Sequence, residues 1–306
     1  SWREMNSQLT AGLKAFQAAN GLTADGIFGP TTWKHLNQNP VNQYRSLSIN
    51  MHRARLLPQE LGSRYLMINL PSAELFGFEN GQHNLTMRVV HGKASNEDFH
   101  TPVFRDVMKE VVFAPYWNVP KSISVDEICP KLENDATYLE RNRYEVVKNF
   151  LVNTTPLDYT PELLPKLQEG TLYLRQKAGP SNALGRVKFL FPNQFNIYLH
   201  DTPSKQYFAR SDRAHSHGCI RLHQPQKMAE WTLTKQGWSE QQVADAFNGD
   251  ERKGQAVSDP VNVYITYFTS FPRPNGPRVN ITSARDVYNL DSKDARALSS
   301  VIQWRE

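Results

Sequence analysis

The feature that most restricts the fold of this chain is a series of short strand patterns that begins near residue 65. From there apolar residues recur with the two-residue period of a β-strand. The Asn80-Gly81 pair between two such segments is a strong hairpin signal. The predicted strands cover residues 65–70, 73–78, 85–90, 108–113, 172–175, 187–191, 195–200, 261–269 and 278–282. Short strands at this spacing favour a mainly β sheet or sandwich.

Residues 121–170 interrupt the strand pattern with helical signals. Ser124 to Glu127 has the form of a capping box that opens one helix, Asp135 is placed to cap a second, and Pro161 takes the first position of a third. A connection of this length usually packs beside a functional site as a lid or wall. A peripheral insertion remote from the chemistry is the alternative interpretation.

The start of the chain is helical. A short helix that Thr31 caps is predicted to turn Trp33 and Leu36 inward. We predict a helical subdomain over residues 1–37, a helical connector over 38–60, and a β-rich domain over 61–306 with the insertion at 121–170. The fold class is therefore α+β: a mainly β-sandwich domain with a helical capping insertion and a small α-helical N-terminal piece.

Charge, hydropathy and cysteine content limit the possible classes of function. The 35 Lys and Arg against 30 Asp and Glu give a net charge of +5 without a basic block of nucleic-acid type. A mildly basic surface suits an anionic polymer, and cell-wall glycan, a membrane surface and nucleic acid all qualify. No apolar run approaches the ~18 residues that a membrane-spanning helix needs. Two cysteines, Cys129 and Cys219, give no disulfide framework, although they could pair with each other.

Cys219 lies in the polar, glycine-containing segment Ser216-His217-Gly218-Cys219-Ile220-Arg221-Leu222. A nucleophilic cysteine needs a lowered thiol pKa, a nearby base and backbone amides that can hold an oxyanion. His200, at the end of a predicted strand, can be the base, and alternation places Tyr198 on the same face as His200. Two other interpretations are open. The cysteine and histidines can be structural residues, or His215, His217, Cys219 and His223 can hold a zinc ion.

The spacing of these residues resembles a known signature. His200, fifteen residues (201–215), and then Ser216-His217-Gly218-Cys219-Ile220-Arg221 look like the motif of the YkuD-type L,D-transpeptidases. Residues 101–102, 116–120 and 179–185 and the helical insertion also resemble the YcbB-like subgroup, in which that insertion caps the substrate cleft. Residues 16–32 are similar to the second half of the bacterial peptidoglycan-binding domain.

The resemblance implies a cysteine acyltransferase that builds 3→3 cross-links between diaminopimelate residues of peptidoglycan. Cys219 would attack the tetrapeptide donor stem, His200 would be its base, and D-Ala would leave. The amides of Gly218 and Cys219, together with that of His217, would bind the oxyanion. No cofactor and no metal are expected.

The remaining residue assignments have structural alternatives. Arg221 would bind a stem carboxylate or lower the thiol pKa, or else form a structural salt bridge. Trp117 and Tyr198 would line the substrate cleft, or else pack in the core. Asp201 is a turn cap or a triad carboxylate, and Cys129 is expected to be buried and inert.

The partners that the resemblance implies are donor and acceptor tetrapeptide stems, carbapenem inhibitors and other cell-wall synthesis proteins, and no nucleic acid. The expected location is the periplasm of a Gram-negative bacterium, with anchoring to the inner membrane through an N-terminal segment absent from this chain. Two other functions fit the same residues. One is a cysteine-dependent L,D-carboxypeptidase or amidase, and the other is a peptidoglycan-binding module without catalysis.

Overall fold

A computed structural model describes residues 6–20, 22–37, 40–273 and 280–301. The chain divides into two compact units. Unit 1 consists of Ser1–Val107, Gln206–Ile220 and Val261–Glu306, and unit 2 of Met108–Lys205 and Arg221–Pro260. The Pro274-Asn275-Gly276 segment, whose composition predicts a turn, and Gly21, which is a typical helix stop after the N-terminal helix, lie outside the described residues. Both units combine helices with β-sheets, so the α+β class is confirmed.

The strands are β1 Arg64–Asn69, β2 Glu74–Glu79, β3 Gln82–Gly92, β4 Phe104–Phe113, β5 Trp117–Asn118, β6 Tyr144–Val147, β7 Tyr173–Gln176, β8 Val187–Leu190, β9 Leu199–His200, β10 Ala214–Ser216, β11 Ile220–Leu222, β12 Lys253–Thr266, β13 Ser270–Arg273 and β14 Asn280–Ser283. The α-helices are α1 Ser7–Ala19, α2 Pro30–Leu36, α3 Pro40–Arg55, α4 Lys121–Ile123, α5 Cys129–Asn134, α6 Tyr138–Arg141, α7 Leu164–Glu169, α8 Pro225–Leu233, α9 Glu240–Asn248 and α10 Leu290–Val301.

The sheet of unit 1 begins with the antiparallel strands β1, β2 and β3. The β2–β3 connection is the predicted hairpin, since Asn80 (φ 47°) and Gly81 (φ 77°) both take the left-handed conformation of a type I′ turn. Strand β1 also pairs in parallel with the Asn262–Thr266 part of β12, and β10 pairs in parallel with β3. The inward side chains, among them Leu66, Ile68, Leu75 and Val89, are fully buried. Each contributes about 1.5–3 kcal/mol to folding.

Helix α2 differs from the prediction. Thr31 does not cap it, because Gly29 is the N-cap residue and Pro30 begins the helix. Trp33 and Leu36 do not face inward, since they are 57% and 49% exposed. Thr32 makes the buried contact instead, and its hydroxyl accepts a hydrogen bond from the buried amide of Gln17. A polar contact therefore sets the orientation of this short helix.

Arg53 connects helix α3 to the C-terminal helix α10 within unit 1. Its guanidinium forms ion pairs with Asp291 and Asp294 at 2.7 Å. The same group lies over the ring of Tyr267, 5.0 Å from its centre. These contacts tie the C-terminal segment to the body of unit 1.

In unit 2, β4, β8 and β9 pair antiparallel in that order. A separate antiparallel sheet has the order β5-β7-β6. Its β6 strand belongs to the insertion 121–170, so this segment is not purely helical. The insertion has a hydrophobic core with β5 and β7, which includes Ile128, Cys129, Leu132, Val146, Leu167 and Leu174.

The capping box predicted at Ser124 is wrong. The helix begins after Pro120, and Ser124 is an inner residue of a helical run in which residues Ser124–Ile128 form a π-helical turn. Ser124 is buried, so its side chain cannot act at an exposed helix start. The prediction that Asp135 caps the second helix is also wrong, because Thr137 is the N-cap residue of α6 and no side chain caps that helix. Asp135 accepts the backbone amide of Thr137 in the turn before the helix instead. Pro161 takes the first helical position after Thr160, as predicted.

No helix in the described ranges is long and apolar enough to cross a membrane.

Candidate active site

Cys219 lies in a short turn of unit 1, which we call the cysteine turn, residues 216–220. Strand β10 leads into the turn beside β3, and the amide of Lys93 donates to the carbonyl of Ser216 at 2.9 Å. Gly218 has a φ of +113°, a backbone conformation that residues with a Cβ rarely adopt. Gly218 is therefore needed for the shape of the turn. Cys219 is not part of a disulfide within the described residues and is partly exposed.

Three hydrogen bonds fix the backbone of the cysteine turn. The buried hydroxyl of Ser216 donates to the carbonyl of Cys219 at 2.6 Å and accepts the amide of Gly218 at 3.2 Å. The hydroxyl of Thr101 donates to the carbonyl of Gly218 at 2.6 Å. The Gly218 amide, which we expected to serve as an oxyanion donor, thus has an acceptor inside the protein.

His217 is partly exposed, and its ring packs edge-on against Phe99, with 4.5 Å between ring centres. The ammonium of Lys93 lies 4.8 Å from the centre of the same Phe99 ring. Phe99 therefore contacts both the His217 ring, whose orientation it sets, and the positively charged Lys93 side chain. Sequence reasoning gave Lys93 and Phe99 no role, because both precede the motif by more than a hundred residues.

His200 lies in unit 2, at the end of β9, where it is the register partner of Lys188 in β8. His200 is 4% exposed. In the tautomer that carries the proton on Nδ1, Nδ1 donates a hydrogen bond to the carbonyl oxygen of Asp201. That tautomer leaves a lone pair on Nε2. The arrangement suits a group that accepts a proton through Nε2.

Burial lowers the pKa of His200 to about 3, and the positive charges of Arg221, Lys188 and Lys205 act in the same direction. The imidazole is therefore neutral at physiological pH. A neutral imidazole can act as a general base, whereas an imidazolium cannot.

The Asp201 carboxylate does not orient His200 as a triad carboxylate would. It accepts the backbone amide of Arg186 at 2.9 Å and forms an ion pair with Lys205. The backbone carbonyl of Asp201, not its side chain, bonds to His200. The carboxylate thus holds the turn, and the carbonyl holds the imidazole.

The other predicted site residues in unit 2 are Tyr198, Arg221 and Trp117. The ring of Tyr198 packs edge-on to that of His200, with 5.7 Å between centres, so these two side chains share a face as predicted. Arg221 is close enough to act on the His200 pKa. Trp117 is in β5 and packs against the core of the insertion and near Tyr144.

The zinc interpretation named His215, His217, Cys219 and His223. His215 contacts the ring of Tyr207, with 4.9 Å between centres, and its Nε2 bonds to the carbonyl of Asp212. Within the part of the chain that the structure describes, no group of three or more His, Cys, Asp or Glu side chains is arranged to hold a metal ion.

The fold and these residues define a class of protein. Residues 63–263 match the sequence profile of the YkuD family, described as an L,D-transpeptidase catalytic domain. Because this match spans more than half of the chain, the protein belongs to the YkuD family of L,D-transpeptidases. Residues 4–36 match a second profile, "Putative peptidoglycan binding domain", which confirms the N-terminal resemblance.

Among individual proteins, the chain is similar to a "Putative L,D-transpeptidase" of Haemophilus influenzae, with 28% identity over 252 residues, or 82% of this chain and 49% of the relative. The chain thus spans about half the length of that relative.

Two solved structures have weaker similarity. An L,D-transpeptidase from Stackebrandtia nassauensis has 11% identity and a TM-score of 0.34, covering 86% of this chain and 80% of that one. An L,D-transpeptidase solved in complex with imipenem has 14% identity and a TM-score of 0.29, covering 66% of this chain and 58% of that one.

Proposed function

We propose that this protein forms 3→3 cross-links between diaminopimelate residues of peptidoglycan through an acyl-enzyme on Cys219, and releases D-Ala from a tetrapeptide donor stem. The main support is the cysteine turn. It presents a partly exposed thiol between two peptide carbonyls, those of Gly218 and Cys219, which Thr101 and Ser216 hold in place. Membership of the L,D-transpeptidase family supports the same class of reaction.

In this proposal His200 takes the thiol proton of Cys219 on Nε2. The thiolate attacks the carbonyl carbon of the L-centre of diaminopimelate, and the oxyanion accepts the Cys219 amide. The bond to D-Ala then breaks, and the imidazolium returns its proton to the departing amine. The diaminopimelate amine of an acceptor stem attacks the thioester, His200 takes the proton of that amine, and the thiol is regenerated.

The structural bonds of the turn change one assignment within this mechanism. Since the Gly218 amide already donates to Ser216, we assign the main oxyanion donor to the Cys219 amide. Gly218 then acts through the shape that its φ of +113° gives to the turn. Arg221 supplies positive charge, and Arg221, Tyr198 and Trp117 contact the stem peptide.

The insertion 121–170 is proposed to cap the substrate cleft, as in the YcbB-like subgroup. The insertion packs around a hydrophobic core that it shares with β5 and β7, so it has a defined shape, as a cap requires. Deletion of residues 121–170 should reduce substrate turnover more than it reduces the stability of the remaining fold. Cross-linking by the deletion variant at the parent rate would contradict the cap.

We also propose carbapenems as covalent inhibitors, peptidoglycan as the ligand of the N-terminal piece, and other cell-wall synthesis proteins as partners. The proposed location is the periplasm of a Gram-negative bacterium, where the substrate lies. Peptidoglycan pull-down with and without residues 1–37 tests the second of these proposals.

The deciding experiment is the product mixture from purified disaccharide-tetrapeptide. We expect cross-linked dimer and free D-Ala from the parent protein, and neither product from Cys219→Ala. Tripeptide without dimer would show that water is the acceptor and that the protein is a carboxypeptidase. No turnover, together with retained peptidoglycan binding, would favour a binding module.

A further inference from the structure

The hydroxyl of Tyr288 is buried against the loop that contains Thr101. Tyr288 follows the residues 63–263 that match the family profile, and it is 4% exposed. Its Oη donates to the carbonyl of Gly92 at 2.8 Å and accepts the amide of Thr101 at 3.2 Å. Nδ1 of His91 lies 2.8 Å from the same oxygen. One hydroxyl thus joins two backbone groups and a side chain of unit 1.

A second set of bonds continues from this loop to the cysteine turn. The amide of Gly92 donates to Oγ1 of Thr101 at 3.0 Å. The hydroxyl of Thr101 in turn donates to the carbonyl of Gly218 at 2.6 Å. Oγ1 of Thr101 has one proton, and the Gly92 amide cannot accept it because that amide is itself a donor. The proton therefore goes to the Gly218 carbonyl.

The Gly218 carbonyl belongs to the same planar peptide unit as the amide of Cys219. A hydrogen bond that fixes the carbonyl oxygen therefore fixes the direction of the Cys219 N–H. Donation to a carbonyl also polarises the peptide unit, which makes its N–H a stronger donor. Thr101 thus controls both the direction and the strength of that donor.

The position of Tyr288 is itself well defined. Its backbone amide donates to the hydroxyl of Tyr267 at 2.6 Å, and that hydroxyl donates to Asp286 at 2.7 Å. The ring of His100 stacks on the Tyr288 ring, with 3.9 Å between centres and 12° between planes. The hydroxyl can therefore act as a fixed point for the Thr101 loop.

We infer that Tyr288 is a positioning residue of the active site: through Thr101 it holds the Gly218–Cys219 peptide, so that the Cys219 amide points to the developing oxyanion. This inference rests on the proposed function, in which that amide is the oxyanion donor. It assigns a role in the reaction to the C-terminal segment, which the family profile does not cover.

The test compares two reagents that attack the same thiol. Acylation of Cys219 by a carbapenem forms an oxyanion, whereas alkylation by iodoacetamide does not. Tyr288→Phe should lower the acylation rate constant about tenfold or more, a smaller loss than the ~10²–10³ for removal of an oxyanion donor itself. Its alkylation rate should stay within about twofold of the parent value. Intact-mass spectrometry over time gives both rates.

Tyr264→Phe is the matched control. Tyr264 is also buried in unit 1, and its hydroxyl donates to the carbonyl of Leu61 at 3.0 Å. The control loses one tyrosine–carbonyl bond without touching Thr101, so both of its rates should match those of the parent. If Tyr288→Phe does not fold, Thr101→Val and Thr101→Ser replace it. The valine variant should show the selective loss, and the serine variant should recover the acylation rate.

The possible results separate the two proposals. Equal acylation of Tyr288→Phe and the parent would overturn the positioning role, as would a parallel loss in both reactions, while the proposed function would stand. For the replacement pair, an unchanged acylation rate in Thr101→Val would likewise overturn it. A parent protein that forms no adduct with the carbapenem, or whose adduct survives Cys219→Ala, would instead overturn the proposed function.

Discussion

The carboxylate of Asp201 occupies the space beside Gly185 that a side chain at residue 185 would need. A Cβ atom on residue 185 would overlap Oδ2 of Asp201, and Gly185 has a φ of +60°. The same oxygen accepts the amide of Arg186, the residue next to Gly185. The turn at Gly185 and the segment that holds His200 therefore fit together only with glycine at this position.

Gly185→Ala should thus destabilise the protein for two reasons. A left-handed conformation in a non-glycine residue costs about 1–2 kcal/mol, and the displaced carboxylate adds the loss of buried hydrogen bonds, about 1–3 kcal/mol. Gly237→Ala is the matched control, since Gly237 has a φ of +89° and a Cβ at that residue would meet no atom within 4 Å. Urea unfolding should give a clearly larger loss for Gly185→Ala. Equal losses would mean that the contact with Asp201 is unimportant.

The lowered pKa of His200 predicts where activity is lost in acid. A base works only when it is unprotonated, and burial together with Arg221 lowers the pKa of His200 from 6.5 to about 3. The rate of carbapenem acylation should therefore show no acid limb near pH 6.5, and any limb due to His200 should lie below about pH 5. Arg221→Gln removes a charge that lowers this pKa, so its acid limb should move to higher pH. A parent limb between pH 6 and 7 would contradict the prediction.

His91 should make the stability of unit 1 depend on pH. Burial lowers the pKa of His91 from 6.5 to about 4. The unfolded chain therefore binds a proton that the folded chain does not bind between about pH 6.5 and 4. Stability from this group is fully present above pH 6.5, and is lost by about 1.4 kcal/mol per pH unit as pH falls through that range.

The measurement is urea unfolding of the parent and of His91→Asn at several pH values from 7 to 4.5. The variant should be less stable at pH 7, because Tyr288 loses or weakens its contact with His91. Its free energy of unfolding should nevertheless fall less steeply in acid than that of the parent. Parallel curves would show that His91 does not titrate as its burial requires.

The two cysteines should react very differently. Cys129 is fully buried in the core of the insertion, and burial raises the pKa of its thiol, whereas Cys219 is partly exposed. Native protein should take up one equivalent of iodoacetamide, and protein in urea should take up two. Native Cys219→Ala should take up none within the same time. Labelling of that variant at the parent rate would place the reactive thiol at Cys129.

Much of the local structure is predictable from sequence because its causes are local. The Asn80-Gly81 hairpin and the common face of Tyr198 and His200 follow from turn chemistry and strand alternation. The prediction for Trp33 is wrong because a buried polar pair, Gln17 and Thr32, outweighs the usual preference for burying an aromatic ring. The prediction for Ser124 is wrong because the helical run starts at an earlier residue than its capping pattern indicates.

The candidate site shows the same limit. The His200 and Cys219 motif is a short-range pattern, so it can be found in the sequence. Thr101 and Tyr288 act on the cysteine turn only through tertiary hydrogen bonds across 117 and 187 residues of chain. The hydrogen bond from the Gly218 amide to the Ser216 hydroxyl is local, but it depends on the rotamer of Ser216, which sequence patterns do not encode.

The division of the chain has a consequence for biosynthesis. The polypeptide leaves unit 1 after Val107, returns at Gln206, leaves again after Ile220, and returns at Val261. Strand β1 meets its parallel neighbour in β12 only when residues 262–266 have been made. Neither unit is a continuous stretch, so the nascent chain cannot complete one before starting the other. Strand β1 can pair with β2 early, but its other edge stays without its parallel partner through most of translation.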